Sequence, residues 1–121
     1  MSRCSAVLGI ALFYVAAPVL GAELLAKMPV QFQGRWNADV QLCRLGGDSQ
    51  LEIRANDISL FESAGPIVTI VAQGTNDLAL IAELSGEGET YLSARHFQLS
   101  EDGQELVDIS TPTHFLRHRC P

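Results

Sequence analysis

Positive charge is what this 121-residue chain has least of: 8 Lys and Arg stand against 14 Asp and Glu, a net charge of −6. Binding nucleic acid depends on clustered Lys and Arg that neutralise phosphates. The few basic residues here are scattered, so no nucleic acid partner is expected. Long apolar runs are missing too. The longest, Ala6 to Ala17, has 12 residues, short of the roughly 20 that a bilayer-crossing helix needs. Stable membrane insertion is therefore not expected. Gly-x-Ser-x-Gly, a glycine-rich phosphate loop and His-Glu-x-x-His are all absent. Without them the chain reads as a non-enzyme that holds no cofactor.

What is present begins with a leader. Residues 1–22 have the form of a secretory signal peptide: Arg3 in a short polar start, the apolar run, Pro18 as a helix breaker, and small residues Gly21 and Ala22 at a cleavage point. No cysteine stands at that point, so no lipid anchor is expected there. Removing the leader takes Arg3 and Cys4 with it. That leaves 7 Lys and Arg against 14 Asp and Glu, a charge of −7, and turns an odd cysteine count into the pair Cys43 and Cys120. In an exported protein a lone pair is most simply a disulfide. Cys43 has no His or Cys at zinc-ligand spacing, and a catalytic thiol is a poor fit to an oxidising compartment. The product is expected in a periplasm or outside the cell.

Residues 23–33 form a leader to the domain with no clear period, and Gly34-Arg35-Trp36 opens the packed part, a single domain over 34–121. Asn37 to Cys43 reads as a short helical turn capped by Asn37 and ended by Gly46-Gly47. Beyond Gly47 the pattern is β. Gln50 to Arg54 alternates strictly, and Ile58–Ser63, Ile67–Gln73, Leu78–Leu84, Glu89–Leu99, Leu106–Ile109 and Thr113–Arg119 follow. The expected turns are Ala55-Asn56-Asp57, Ala64-Gly65-Pro66, Gly74 to Asp77, Ser85 to Gly88, Glu101 to Gln104 with its Asp-Gly pair, and Ser110-Thr111-Pro112. Leu78, Leu80, Ala82 and Leu84 share one face. Short turns leave no room for crossover helices. The expectation is an all-β antiparallel meander of 7 strands, or 8 if Trp36 begins one, closing into a barrel that hides its edges. An open two-sheet sandwich is the competing architecture.

Few side chains invite a chemical reading. His114 and His118 would meet on a helix, but on a strand that spacing sets them about 13 Å apart. Pro112 and the run Phe115-Leu116-Arg117 favour a strand, so no metal pair is expected. Glu87 and Glu89 flank Gly88 in a turn, and paired carboxylates serve glycoside hydrolysis. A raised pKa needs burial against apolar groups, which a glycine turn in water does not offer. Asp102 and Glu105, beside a hairpin, read the same way. Trp36, the only tryptophan, suits the core or the plug of a barrel. Either Arg117 or Arg119 would lay its guanidinium on the indole if the chain ends meet.

Gly34, Trp36 and a basic residue from the last strand, Arg117 or Arg119, together with the run of short strands over 34–120, resemble the calycin group of small β-barrels. In that group a Gly-x-Trp packs under the barrel and a basic side chain stacks on it. The length is similar to that of the short exported bacterial metalloprotease inhibitors of the group. That resemblance implies a protease-binding barrel whose N-terminal arm, matching Glu23 to Met28, enters the protease cleft. A second likeness is to bacterial inhibitors of c-type lysozyme, which carry a Ser-Gly-containing loop followed by Tyr. Ser85-Gly86-Glu87-Gly88-Glu89-Thr90-Tyr91 is similar in outline, although Glu87 and Glu89 stand where those loops carry a basic residue. Overall acidity would steer this chain toward basic lysozymes.

The leading expectation is thus an exported non-enzymatic binding protein that inhibits a secreted hydrolase. Its partner loop would be Ser85, Gly86, Glu87, Gly88, Glu89 and Tyr91, with the N-terminal leader beside it. A carrier of a small apolar ligand inside the barrel is the alternative, and a structural envelope protein a second one. An apolar pocket above about 300 Å³ would favour the carrier.

Overall fold

A computed structural model describes Gly9 and residues 21–121. The expected signal peptide, with Cys4, lies outside the described residues apart from Gly9, Gly21 and Ala22. Among the described residues nine strands form: β1 (Glu23–Leu25), β2 (Gly34–Asn37), β3 (Leu51–Ile53), β4 (Asp57–Leu60), β5 (Ser63–Ala72), β6 (Asp77–Gly86), β7 (Glu89–Leu99), β8 (Glu105–Asp108) and β9 (Phe115–Arg119). Each strand from β2 to β9 pairs antiparallel with the next, and β9 returns to pair with β2. The fold is therefore a closed eight-stranded meander, with β1 outside it against Ile70–Ala72 of β5. Trp36 does lie in a strand, so the larger of the two expected strand counts is the observed one.

Alternation fills the inside. Leu51, Ile53, Ile58, Ile70, Leu78, Leu80, Ala82, Leu84, Phe97 and Leu106 are all buried in one cluster. Their neighbours in sequence face outward, as a period of two requires. The packed part starts earlier than Gly34. Met28 and Phe32, the latter in a 3-10 turn at Val30–Phe32, are buried in the same cluster and close one end of the barrel beside Trp36.

Three local expectations are corrected. Ala64-Gly65-Pro66 is not a turn but part of β5, and the chain reverses at Phe61-Glu62, where Glu62 takes a positive φ of 63°. Gly65 marks a close approach of two strands: a Cβ there would lie 1.8 Å from the Glu83 carbonyl oxygen. Pro66 pairs with Asp57, and the N–H that reaches toward β4 is that of Ile67, on the Asn56 carbonyl at 2.8 Å, so the proline nitrogen is turned away from that ladder. The second correction concerns the helical turn, a 3-10 segment at Val40–Arg44. Its cap is Asp39, whose carboxylate accepts from the Gln41 N–H at 2.9 Å, while Asn37 remains in β2. Asn37 instead donates from Nδ2 to the Gly46 carbonyl at 3.1 Å and accepts from Ser49 Oγ at 3.0 Å, tying the turn to the barrel wall. Third, β6 runs on to Gly86, leaving Glu87 and Gly88 as a two-residue hairpin turn. Both have positive φ (52° and 79°), as a type I′ turn requires.

Cys43 and Cys120 are joined in a disulfide, with Cα atoms 5.7 Å apart and a sequence separation of 77. The bond ties the segment after β2 to the end of β9, beside the pair that closes the barrel. A disulfide of this kind belongs to an oxidising, non-cytoplasmic compartment. Among the described residues no helix is long and apolar enough to cross a membrane.

Candidate functional site

The plugged end of the barrel is built by Trp36 and Arg119, which face each other across the closing β2–β9 pair. The Arg119 guanidinium lies 4.2 Å over the indole. It also donates to three backbone carbonyls: Gln33 at 2.7 Å, Gln31 at 2.5 Å and Gly103 at 2.9 Å. The indole N–H of Trp36 donates to the Phe32 carbonyl at 3.0 Å. Gly34 leaves room for this stack, since a Cβ at its φ of +133° would meet Arg119 Nη1 at 2.8 Å. Of the two arginines that the sequence leaves open, Arg119 is thus the one on Trp36.

Arg117 points into the barrel two residues earlier. It donates from Nε to the Ser49 carbonyl at 2.7 Å and lies 4.7 Å over the Phe115 ring. Its Nη1 is 3.5 Å from Asp108 Oδ2, to which Arg95 donates at 3.2 Å. Burial works to raise the Asp108 carboxyl. Hydrogen bonds from the Ser110 side chain and backbone, then the charges of Arg95 and Arg117, outweigh it and hold Asp108 below the usual aspartate range. Among the described residues no buried side-chain nitrogen or oxygen lacks a partner. Paired to Arg95, Arg117 and Ser110, the Asp108 carboxylate cross-links three elements of the barrel wall.

The opposite end carries the candidate partner loop. The turns at Phe61-Glu62 and Glu87-Gly88 come together around a surface cleft of about 350 Å³, lined by Phe61, Glu62, Ser63, Gly86, Glu87, Glu89 and Tyr91. Four of the six loop residues singled out in the sequence therefore line it. Ser85 supports the hairpin, with its hydroxyl 2.9 Å from that of Thr90, and Gly88 completes the turn. Phe61, Glu62 and Ser63 were missed because the reversal was placed three residues too late. Phe61 and Tyr91 stay 41% and 45% exposed. A hydrogen bond that the protonated Glu62 carboxyl donates to Glu87, then the charge of Glu87, with smaller contributions from desolvation and Asp48, push Glu62 above its ordinary value. Negative charge is thus crowded around two exposed aromatic rings.

The other candidates lie apart from this cleft. His118 is in β9 and His114 just ahead of it. Among the described residues no cluster of three or more His, Cys, Asp or Glu is arranged to hold a metal. Asp102 accepts from Ser100 Oγ at 2.6 Å and from the Gln104 N–H at 3.0 Å, which shapes the β7–β8 turn. Glu23–Leu25 of the arm is paired to β5, and Met28 is buried. A larger groove, about 430 Å³ and mainly apolar, lies on the outer side of β5, β6 and β7 and not in the barrel interior. No protein-family model, curated protein or solved structure matches the chain.

Proposed function

We propose that the chain is an exported, non-enzymatic binding barrel that inhibits a secreted hydrolase with a basic surface, acting in a periplasm or outside the cell. The observation that carries this reading is the cleft where the β4–β5 and β6–β7 turns meet. Glu62, Glu87 and Glu89 surround Phe61 and Tyr91 there, so a cationic group that enters the cleft meets three carboxyl groups crowded together. Aromatic side chains such as Phe61 and Tyr91 are enriched at protein interfaces. The apolar groove of about 430 Å³ is large enough for the carrier reading, but it lies on the outer face of the sheet, while Phe97, Leu80, Ala82 and Leu84 fill the interior in which a carried ligand would sit. With Glu23–Leu25 engaged by β5, the cleft is also better placed than the N-terminal arm to meet an enzyme.

The test is inhibition of purified secreted metalloproteases and c-type lysozymes by the disulfide-bonded protein at low and high salt. One hydrolase is expected to be inhibited, more weakly as salt screens the charges. The double change Glu87→Lys with Glu89→Lys should weaken inhibition at least about tenfold, a loss near 1.4 kcal/mol. Failure to inhibit any hydrolase, with a lipid extracted from the purified protein, would reverse the ranking in favour of the carrier.

A further inference from the structure

We propose that the outer face of β5, β6 and β7 is a second docking surface, built for an amphipathic helix of a partner that is apolar in its middle and basic at both ends. This rests on the groove and not on the reading of the acidic cleft.

The outward positions follow from register. Thr69 pairs with Ile81 and Ile81 with Ala94, while Val71 pairs with Ala79 and Ala79 with His96. These alternate with Ile70, Leu78, Leu80 and Ala82, which are buried inside. In a single antiparallel barrel the outward set meets water and is expected to be polar. Here only Thr69 and His96 of that set are polar, Val71, Ala79, Ile81 and Ala94 are apolar, and Leu92, two positions before Ala94 in the same strand, is 68% exposed. Ile109 and Ser110 form the far side of the groove. They are held there by the Ile109 N–H on the His96 carbonyl and the His96 N–H on Ser110 Oγ, both 2.9 Å.

Charge selects the occupant. Along β6 the outward residues read Asp77, Ala79, Ile81, Glu83, so a carboxylate stands at each end of the apolar floor. The two are six residues apart, about 20 Å along a strand. Asp77 accepts from His96 Nε2 at 2.6 Å and Gln98 Nε2 at 3.0 Å, which fixes it at one end of that floor. Arg95, which also lines the groove, turns its guanidinium to Asp108 and does not neutralise the rim. The groove lies on a sheet face, where main-chain pairing is not offered, so a helix laid across it is the fitting element. Spanning about 20 Å takes about 13 helical residues, with Lys or Arg at either end over Asp77 and Glu83.

The experiment uses a synthetic helical peptide of about 14 residues with a Leu and Ala stripe and Lys at both ends, against a counterpart ending in Glu. Backbone amide shifts of the ¹⁵N-labelled, disulfide-bonded protein report where each binds. The Lys-ended peptide is expected to shift Val71, Ala79, Ile81 and Ala94, and the Glu-ended one to bind at least about tenfold more weakly. Ile81→Lys, or Ala94→Lys if the first fails to fold, should abolish the shifts, whereas Glu87→Lys with Glu89→Lys should leave them in place. Equal binding of both peptides, shifts confined to the turns at Phe61-Glu62 and Glu87-Gly88, concentration-dependent self-association through this face, or no shifts at all would each overturn the proposal.

Discussion

The guanidinium of Arg119 stacks on Trp36 and donates to three carbonyls from two different loops, so one side chain joins the last strand, the first barrel strand and the N-terminal 3-10 turn. A lysine has neither the planar fork nor the stacking face to replace it. Arg119→Lys is expected to destabilise the protein by about 1–3 kcal/mol, read as a lower urea midpoint with an unchanged slope. The sequence left Arg117 and Arg119 equivalent for a physical reason: two apart on a strand, they point to the same side, and only the pairing of Trp36 with Arg119 decides between them. Asp108 carries a pH dependence of definite sign. Its carboxyl is held below the ordinary 3.8 in the folded state, so its contribution is present above that value and is lost as pH falls through the lower folded value. The urea midpoint of the natural protein should therefore drop on acidification below 3.8, and Asp108→Asn, although less stable at neutral pH, should show a shallower drop.

Strand positions were legible wherever one face is buried and the other wet. Leu78, Leu80, Ala82 and Leu84 were read as one face and are found buried together. Gly65-Pro66 is the exception, because glycine and proline mark turns and also places where strands press close. Only the approach of Glu83 across the β5–β6 pair distinguishes the two. That misplacement also hid half of the candidate cleft, since Phe61 and Glu62 were assigned to a strand and not to a tip. The β6–β7 hairpin offers a test at this scale. Glu87 sits at a φ of 52°, which costs a residue with a Cβ about 1 kcal/mol or more. Glu87→Gly should raise stability by about 0.5–1 kcal/mol, seen as a higher melting temperature with the same fold by circular dichroism.

Across the whole molecule, the barrel closes only where β2 meets β9, two strands from opposite ends of the domain, and the Cys43–Cys120 bond stands beside that seam. Bridging 77 positions restricts the unfolded chain by about 4–5 kcal/mol in the loop-entropy account. The double change Cys43→Ser with Cys120→Ser should forfeit about that much, measured by denaturant unfolding beside the natural protein with and without reductant. Sequence alone determined the all-β class, the meander and the cysteine pair, because alternation, turn spacing and thiol parity are local or countable properties. Tertiary structure decided the rest: which arginine covers Trp36, that Met28 and Phe32 complete the plug, that two acidic turns share one cleft, and that the apolar groove lies outside the barrel. Each of these depends on register between strands distant in the chain, and no pattern along a single strand records which partner residue stands across from it.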